Sequence, residues 1–193
     1  GGTYSVQTPI QNADSFSIYE NETGVIIGTL QTEDTDESDT HSYVLSGDNS
    51  DLFEIVDGQL KVKDGVSINY ELNSVLNITL TSTDSSGASF SKDFSINVID
   101  ENDTPTAVLL SSLRVEDATE GYVVGTLITT DEDVDDTFTY ALSGADAEQF
   151  EVVDGQLKLK DGVSADYETK GTYSVTVTST DSGGESTEAT FTL

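Results

Sequence analysis

The chain contains one sequence module twice, and this repeat limits the possible folds more than any other feature. The segment from Phe53 to Ser67 returns as Phe150 to Ser164 with two conservative changes, at a shift of 97 residues. The same shift, without a gap, relates other segments: Gly28-Thr29-Leu30 to Gly125-Thr126-Leu127, Tyr43 to Tyr140, Tyr70-Glu71 to Tyr167-Glu168, and Thr83-Asp84 to Thr180-Asp181. Two domains of roughly 95 residues are therefore predicted.

The charge of the chain excludes several classes of partner. With 37 acidic and 7 basic residues, the formal net charge is −30, which repels nucleic acid and anionic lipid alike. No cysteine is present, so disulfides, thiolate metal sites and thiol nucleophiles are excluded. No run approaches the ~20 apolar residues of a membrane span, so no membrane insertion is predicted. Most acidic residues suit a solvated surface, but those at 33–39, 100–103 and 131–136 are clustered and need a counterion.

Alternating apolar and polar residues predict half-buried strands. Leu76, Ile78 and Leu80 alternate with polar residues, and no segment has sustained helical periodicity. Strands are predicted at 25–30, 42–45, 53–56, 59–63, 76–80, 94–98 and 173–177, about seven to a module. Asp57-Gly58 and Asp154-Gly155 lie between apolar runs and predict tight hairpin turns. The pattern favours an all-β, Greek-key sandwich for each module and leaves the strand order open.

An acidic hexapeptide, Asp100-Glu101-Asn102-Asp103-Thr104-Pro105, lies between the two copies. Its carboxylate, amide and carbonyl oxygens are the ligands that Ca²⁺ takes in groups of six to eight. A solvated linker of the same composition is the alternative. Asp34-Thr35-Asp36 and Asp131-Glu132-Asp133 strengthen the calcium hypothesis, because both follow a Gly-Thr-Leu strand and place two acids on one side of an extended segment.

An EF-hand is the first rival for the second acidic segment. Asp131, Asp133 and Asp135 match its opening spacing. The sixth position needs glycine and is Asp136, and the twelfth needs glutamate and is Leu142, so this motif is rejected.

The whole chain resembles tandem cadherin repeats, more particularly the bacterial cadherin-like modules of surface proteins. The marks of the family are Glu20-Asn21, Asp131 with Asp133, Asp166 with Glu168, Asp181, and the Asp-x-Asn-Asp-x-Pro pattern from residue 100 to 105. The resemblance implies two tandem immunoglobulin-like sandwiches: repeat 1 at 1–99, a calcium-binding linker at 100–105, and repeat 2 at 106–193. The chain ends inside the second module, so repeat 2 is expected to be truncated and the chain to be part of a longer array.

The resemblance also implies a ligand set for up to three calcium ions. The implied ligands are Glu20, Asn69, Glu71, Asp100, the Glu101 carbonyl, Asn102, Asp103, the Thr104 carbonyl, Asp131, Asp133 and Asp181. Asn69 stands where the family usually has aspartate, and this difference is expected to weaken binding of the outermost calcium ion. Bound calcium is expected to stiffen the linker, because the ion screens the repulsion between carboxylates of different segments.

Two further acidic sets are expected to be incomplete sites. The segment from Tyr4 to Pro9 has no acidic residue, so Asp34, Asp36 and Asp84 lack upstream ligands. At the other end, Glu116, Asp166 and Glu168 carry the ligands of a following junction.

The function predicted by this resemblance is a calcium-rigidified extracellular module of a cell-surface adhesion protein. Its partner is left open between another copy, another surface protein and a polysaccharide. The chain has no tryptophan, which excludes the aromatic strand exchange of some animal cadherins. A carbohydrate-binding module using Tyr4, Tyr19 and Tyr122 is one alternative, and a passive spacer is another. No enzyme activity is predicted, because His41 is the only histidine and its counterpart is Phe138; position 41 is expected to be a strand residue.

Overall fold

The computed structural model describes residues 5–7, 15–36, 38–115 and 118–193, with side chains for all of them except 5–7 and Ser15. The chain divides into unit 1 (Gly1–Glu101) and unit 2 (Asn102–Leu193). Strands and two 3-10 turns make up the described secondary structure, which includes no α-helix. The all-β prediction is confirmed. No helix in the described ranges has the length and apolar character needed to cross a membrane.

Unit 1 is a sandwich of a four-stranded and a three-stranded sheet with a short additional ribbon. Its strands are β1 (Ser5–Gln7), β2 (Ser15–Tyr19), β3 (Ile26–Thr29), β4 (Gln31–Glu33), β5 (Ser42–Ser46), β6 (Phe53–Val56), β7 (Gln59–Val62), β8 (Val75–Thr83) and β9 (Ser89–Ile99). The sheets have the orders β2-β9-β8-β5 and β3-β7-β6, and the ribbon pairs β1 with β4. Only β2 and β9 are paired in parallel among the described strands of this unit. The chain crosses between the sheets as a Greek key does.

Unit 2 repeats this architecture with one change at its first strand. Its strands are β10 (Ala107–Leu110), β11 (Val123–Thr130), β12 (Thr139–Ser143), β13 (Phe150–Val153), β14 (Gln156–Leu159), β15 (Ser174–Thr180) and β16 (Ser186–Thr192). The sheets have the orders β10-β11-β14-β13 and β12-β15-β16. Residues 112–115, which correspond to β2, belong to no strand. The described part of unit 2 has the predicted seven strands. The described residues of unit 1 form nine, and two of these, β3 and β4, correspond to the single strand β11.

The predicted hairpin turns are confirmed in both units. Asp57 and Gly58 join β6 to β7 with φ angles of 50° and 74°, and Asp154 and Gly155 join β13 to β14 with 50° and 72°. Two consecutive positive φ angles define the type I′ turn, whose twist matches that of antiparallel strands. Aspartate tolerates this conformation and glycine adopts it without a steric cost, so these dipeptides set the hairpin register.

Alternating burial along the central strands confirms the predicted pattern. In β8, Leu76, Ile78 and Leu80 are buried, and in β15, Val175 and Val177 are buried. Each such side chain contributes about 1.5–3 kcal/mol to folding when it leaves water. The acidic residues follow directly after these strands, so the packed sheets hold the acidic loops in place.

Candidate metal centres

A first carboxylate cluster lies at one end of unit 1. Oxygen atoms of Glu20, Glu71 and Asp100 all lie within 4.8 Å of one another. Glu20 follows β2 and is completely buried. Its Oε1 accepts a hydrogen bond from the Glu101 amide at 2.8 Å, and its Oε2 accepts one from the Tyr70 amide, also at 2.8 Å. Two charge-assisted bonds offset the cost of burying Glu20, while the crowding of three carboxylates favours a bound cation.

Asn69 lies in the turn beside this cluster. Its Oδ1 accepts a hydrogen bond from the Leu72 amide at 2.9 Å. Its counterpart Asp166 accepts equivalent bonds from Glu168 and Thr169, and the Thr169 hydroxyl, acting with these amides, lowers the pKa of Asp166. In both units this position therefore closes a turn. The predicted ligand role of Asn69 stays a prediction.

A second cluster lies in unit 2, where carboxylate oxygens of Asp131, Asp136 and Asp181 are within 4.8 Å of one another. Asp131 follows β11 and Asp181 follows β15. Asp181 is buried; its Oδ1 accepts hydrogen bonds from the amides of Gly184 at 2.6 Å and Glu185 at 2.8 Å. Burial acts to raise the pKa of Asp181, but a hydrogen bond from Asn102, together with these amide bonds, lowers it overall.

Two oxygen atoms in this cluster have no hydrogen-bond donor. The Oδ2 atoms of Asp131 and Asp136 are buried, and neither has a partner among the residues that the structure describes. Burial, reinforced by the negative charges of Asp133 and Asp136, raises the pKa of Asp131. A buried carboxylate oxygen without a donor is costly, and a cation is the ligand that would remove this cost.

The beginning of unit 2 contacts the same region. Asn102 donates from Nδ2 to Asp181 Oδ2 at 3.1 Å, and the Asp103 amide donates to Asp133 Oδ2 at 2.7 Å. The Thr104 hydroxyl donates to Glu185. Gly183 packs so closely against Asn102 that a Cβ atom at position 183 would overlap the amide group. Residues 102–104 are therefore seated on the loops after β11 and β15.

A third cluster, in unit 1, contains Asp34, Asp39 and Asp84, the counterparts of the unit 2 cluster. His41 Nε2 lies 3.1 Å from Asp34 Oδ2, and the Asp36 amide donates to Asp34 Oδ1 at 3.1 Å. The Asp36 amide and, more weakly, His41 lower the pKa of Asp34. The expectation that His41 is a strand residue is wrong, because it precedes β5 and pairs with Asp34.

The acidic segments after the Gly-Thr-Leu strands differ from their predicted geometry. The segments after Gly-Thr-Leu do not stay extended over both acids; they turn, with the Asp34 and Asp131 side chains accepting amide bonds two residues ahead. Such turns bring Asp39 and Asp136, rather than Asp36 and Asp133, into the carboxylate clusters of their own units. Asp136 was missed as a candidate ligand, although its recurrence as Asp39 at the 97-residue shift was a usable signal.

Glu101 and Thr104 are predicted to offer carbonyl oxygens, and this stays a prediction. Their described contacts are made by the Glu101 amide and the Thr104 hydroxyl. Glu116 and Tyr4 lie outside the described residues. The predicted ligand set as a whole, like the boundaries at 1–99, 100–105 and 106–193, stays a prediction.

Sequence comparisons relate the chain to cadherins. Human cadherin-related family member 2 is 30% identical over 118 residues, which cover 54% of this chain and 9% of the relative. Rat protocadherin Fat 2 is 28% identical over 186 residues, or 91% of this chain and 4% of the relative. The chain thus spans less than a tenth of either relative. No protein-family model matches it.

Solved structures agree with this relationship. Human protocadherin-24 EC1-2 has a TM-score of 0.71 at 20% identity, covering 98% of this chain and 95% of that one. Protocadherin gamma B7 extracellular cadherin domains 1-4 have a TM-score of 0.69 at 23% identity, covering 100% of this chain and 49% of that one. The fold is that of tandem cadherin repeats. Both cadherin-like repeats carry the acidic clusters described above, while the predicted bacterial subtype remains a prediction.

Proposed function

We propose that this chain is a calcium-binding pair of cadherin-like repeats from an extracellular adhesion protein. The observation that carries the proposal is the pair of buried Oδ2 atoms, of Asp131 and Asp136, that lack a donor beside the buried Asp181. Three carboxylates in this arrangement repel one another and cannot all be satisfied by the described protein groups. A divalent cation offsets their charge and supplies the missing partner.

Calcium suits the donor set better than other common metals. Each described cluster consists of three carboxylates, and the side-chain amide of Asn102 lies beside Asp181. Oxygen ligands in groups of six to eight match the coordination of Ca²⁺, whereas Mg²⁺ requires a tighter octahedral arrangement and keeps several waters. With no cysteine in the chain, the soft ligands that favour zinc or copper(I) are missing.

Bound ions would contact linker residues on both sides of Glu101. Asp100 belongs to the cluster of unit 1, and Asn102 and Asp103 contact the acidic loops of unit 2. Ions held on either side of Glu101 would limit the backbone freedom of this short connection. We therefore propose that calcium stiffens the chain, as the resemblance to cadherin repeats implies.

Calcium titration calorimetry of the chelator-stripped chain tests this proposal. We expect two or three ions, much weaker binding at one site with Asp181→Asn, and wild-type binding with Asp135→Asn, an exposed acid in the same loop as Asp131. Small-angle scattering with and without calcium should show a longer particle when the ion is present. Absence of a calcium isotherm would reduce the clusters to solvated loops and leave the passive-spacer hypothesis.

Adhesion is the proposed role of the calcium-bound module. The relatives are cadherins, and one structural neighbour is a cis-dimer of protocadherin gammaB7 EC3-6. This supports another copy or another surface protein as the partner. Beads coated with the chain should cluster with calcium and disperse on chelation if the partner is another copy. Retention on a polysaccharide gel would instead support the carbohydrate-binding alternative.

A further inference from the structure

The parallel pair β2 and β9 is placed to carry tension through unit 1. In sequence order β2 is the first strand of the four-stranded sheet and β9 is the last. The two strands pair over five consecutive positions, from Ser15 with Ser95 to Tyr19 with Ile99, without a bulge. Because they run in the same direction, the chain enters β2 at one end of the ladder and leaves β9 at the other end. Opposite pulls on these ends slide the strands past each other, so the five pairs bear the load together.

Apolar side chains stand on both faces of this ladder. On the inner face, Ile18 is the register partner of Val98, and each is only 5% exposed. On the outer face, Tyr19 is the register partner of Ile99, and these are 48% and 38% exposed. Water competes for backbone hydrogen bonds as they stretch. Apolar side chains on both faces limit its access, which raises the force needed to break the ladder.

Glu20 closes the end of the ladder where the chain leaves unit 1. Its amide donates to the Ile99 carbonyl at 3.1 Å, which extends the ladder by one hydrogen bond. Its completely buried side chain accepts the Glu101 amide on Oε1 and the Tyr70 amide on Oε2, each at 2.8 Å. Hydrogen bonds to an ionised acceptor are roughly twice as strong as neutral ones. A pull on residue 101 therefore acts directly on the bond between Glu20 and the Glu101 amide.

We propose that unit 1 has a further function as a load-bearing element, in which β2, β9 and Glu20 form a mechanical clamp. The clamp resists tension because its five strand pairs and the Glu20 bond break together rather than one after another. The β1–β4 ribbon precedes it along the chain and has only three pairs, so it opens at a lower force. The clamp is built from protein groups alone, and its strength does not depend on calcium.

Single-molecule force spectroscopy in chelator tests this proposal on the whole chain. The chain has no cysteine, so thiol handles attach only at introduced positions. Handles on Gly1→Cys and Glu101→Cys shear the ladder. Handles on Gly1→Cys and Ser89→Cys pull from the same end of the two strands, because Ser89 begins β9, and open the ladder pair by pair. We expect unit 1 to unfold at a force at least twofold higher in the first geometry, since forced unfolding reports the barrier to unfolding.

Two variants separate the clamp from the overall stability of unit 1. Glu20→Gln preserves the size of the side chain, but its amide nitrogen is not an acceptor, so only one of the two amide bonds remains. We expect this variant to lower the force in the shearing geometry by roughly a third and to leave the force in the other geometry unchanged.

Val62→Ala is the matched control, because Val62 is completely buried but lies in β7 of the other sheet. This variant should lower the denaturant midpoint of unit 1 through the lost core packing. Its force in the shearing geometry should stay close to that of the wild type. Equal wild-type forces in the two geometries, or a shearing force that Glu20→Gln leaves unchanged, would overturn the proposal.

Discussion

The acidic loops of the two units have the same carboxylates and different surroundings. Asp34, Asp39 and Asp84 of unit 1 correspond to Asp131, Asp136 and Asp181 of unit 2. In unit 1, His41 contacts Asp34; in unit 2, Phe138 occupies that position and the Asp131 Oδ2 atom has no described donor. Repeated carboxylates therefore do not guarantee repeated sites, because neighbouring positions decide which carboxylate oxygens accept a hydrogen bond from the protein.

The segments that precede the acidic loops also favour a metal site in unit 2 over one in unit 1. Asn102 and Asp103 of unit 2 contact Asp181 and Asp133. Their counterparts in unit 1 are Ser5 and Val6, which carry neither a carboxylate nor an amide side chain. We expect calcium to bind the loops of unit 2 and to bind those of unit 1 far more weakly.

The largest expected effect comes from removing the buried carboxylate of each loop. Asp181→Asn should weaken calcium binding about 100-fold, since a lost charged contact of about 2–3 kcal/mol corresponds to roughly this factor. Asp84→Asn should leave the calcium isotherm within about twofold of wild type. Calorimetry on both variants checks the comparison. Equal losses would contradict the difference between the units.

Exchanging a small residue between the loops should have the next largest effect. Gly183 leaves room for Asn102, whereas its counterpart Ser86 donates from its hydroxyl to Asp84. Gly183→Ser should displace Asn102 and weaken calcium binding about tenfold, the scale of losing a positioning contact. The reciprocal Ser86→Gly should not change calcium binding. A wild-type isotherm for Gly183→Ser would show that Asn102 does not contribute to the site.

Neutralising Asp131 should stabilise the calcium-free protein. Its raised pKa means that the folded state binds this proton more tightly than the unfolded state does. The stability that protonation contributes is fully present below the ordinary pKa of 3.8 and is lost as pH rises through the raised value. At pH 7 without calcium, Asp131→Asn should therefore raise the free energy of unfolding of unit 2 by about 1 kcal/mol. Denaturant melts in chelator at pH 7 measure this gain, which should shrink as the pH falls. Asp34→Asn provides the control: the pKa of Asp34 is lowered, so this variant should give no gain.

The smallest effect is expected from His41→Phe, which gives unit 1 the residue of unit 2. Loss of the histidine–aspartate pair should lower the melting temperature of unit 1 only slightly. Calcium binding should stay unchanged, because residues 5–7 still supply no acidic ligand. An additional calcium ion in the isotherm would instead identify His41 as the group that keeps the ion out of unit 1.

The sequence alone determined the repeat, the all-β class, the hairpins and the position of Asp34 and Asp131 directly after a strand. Each of these follows from local chemistry. Alternation of apolar and polar side chains has the period of a strand and so predicts the all-β class. The Asp-Gly pairs favour two positive φ angles and so predict the hairpins, and the 97-residue shift reveals the repeat by comparing one module with the other. Contacts between distant segments are not needed for any of these inferences.

Only the tertiary structure decided which acids share a cluster and how the strands at the start of each unit pair. Asp136 joins Asp131 because the intervening loop turns, and Glu20 is buried because amides at positions 70 and 101 converge on it. Likewise, β2 pairs with β9 in unit 1, whereas β10 pairs with β11 in unit 2 and residues 112–115 form no strand. Many of these contacts join positions far apart in the chain, so the packing of the two sheets sets them and no local pattern encodes them.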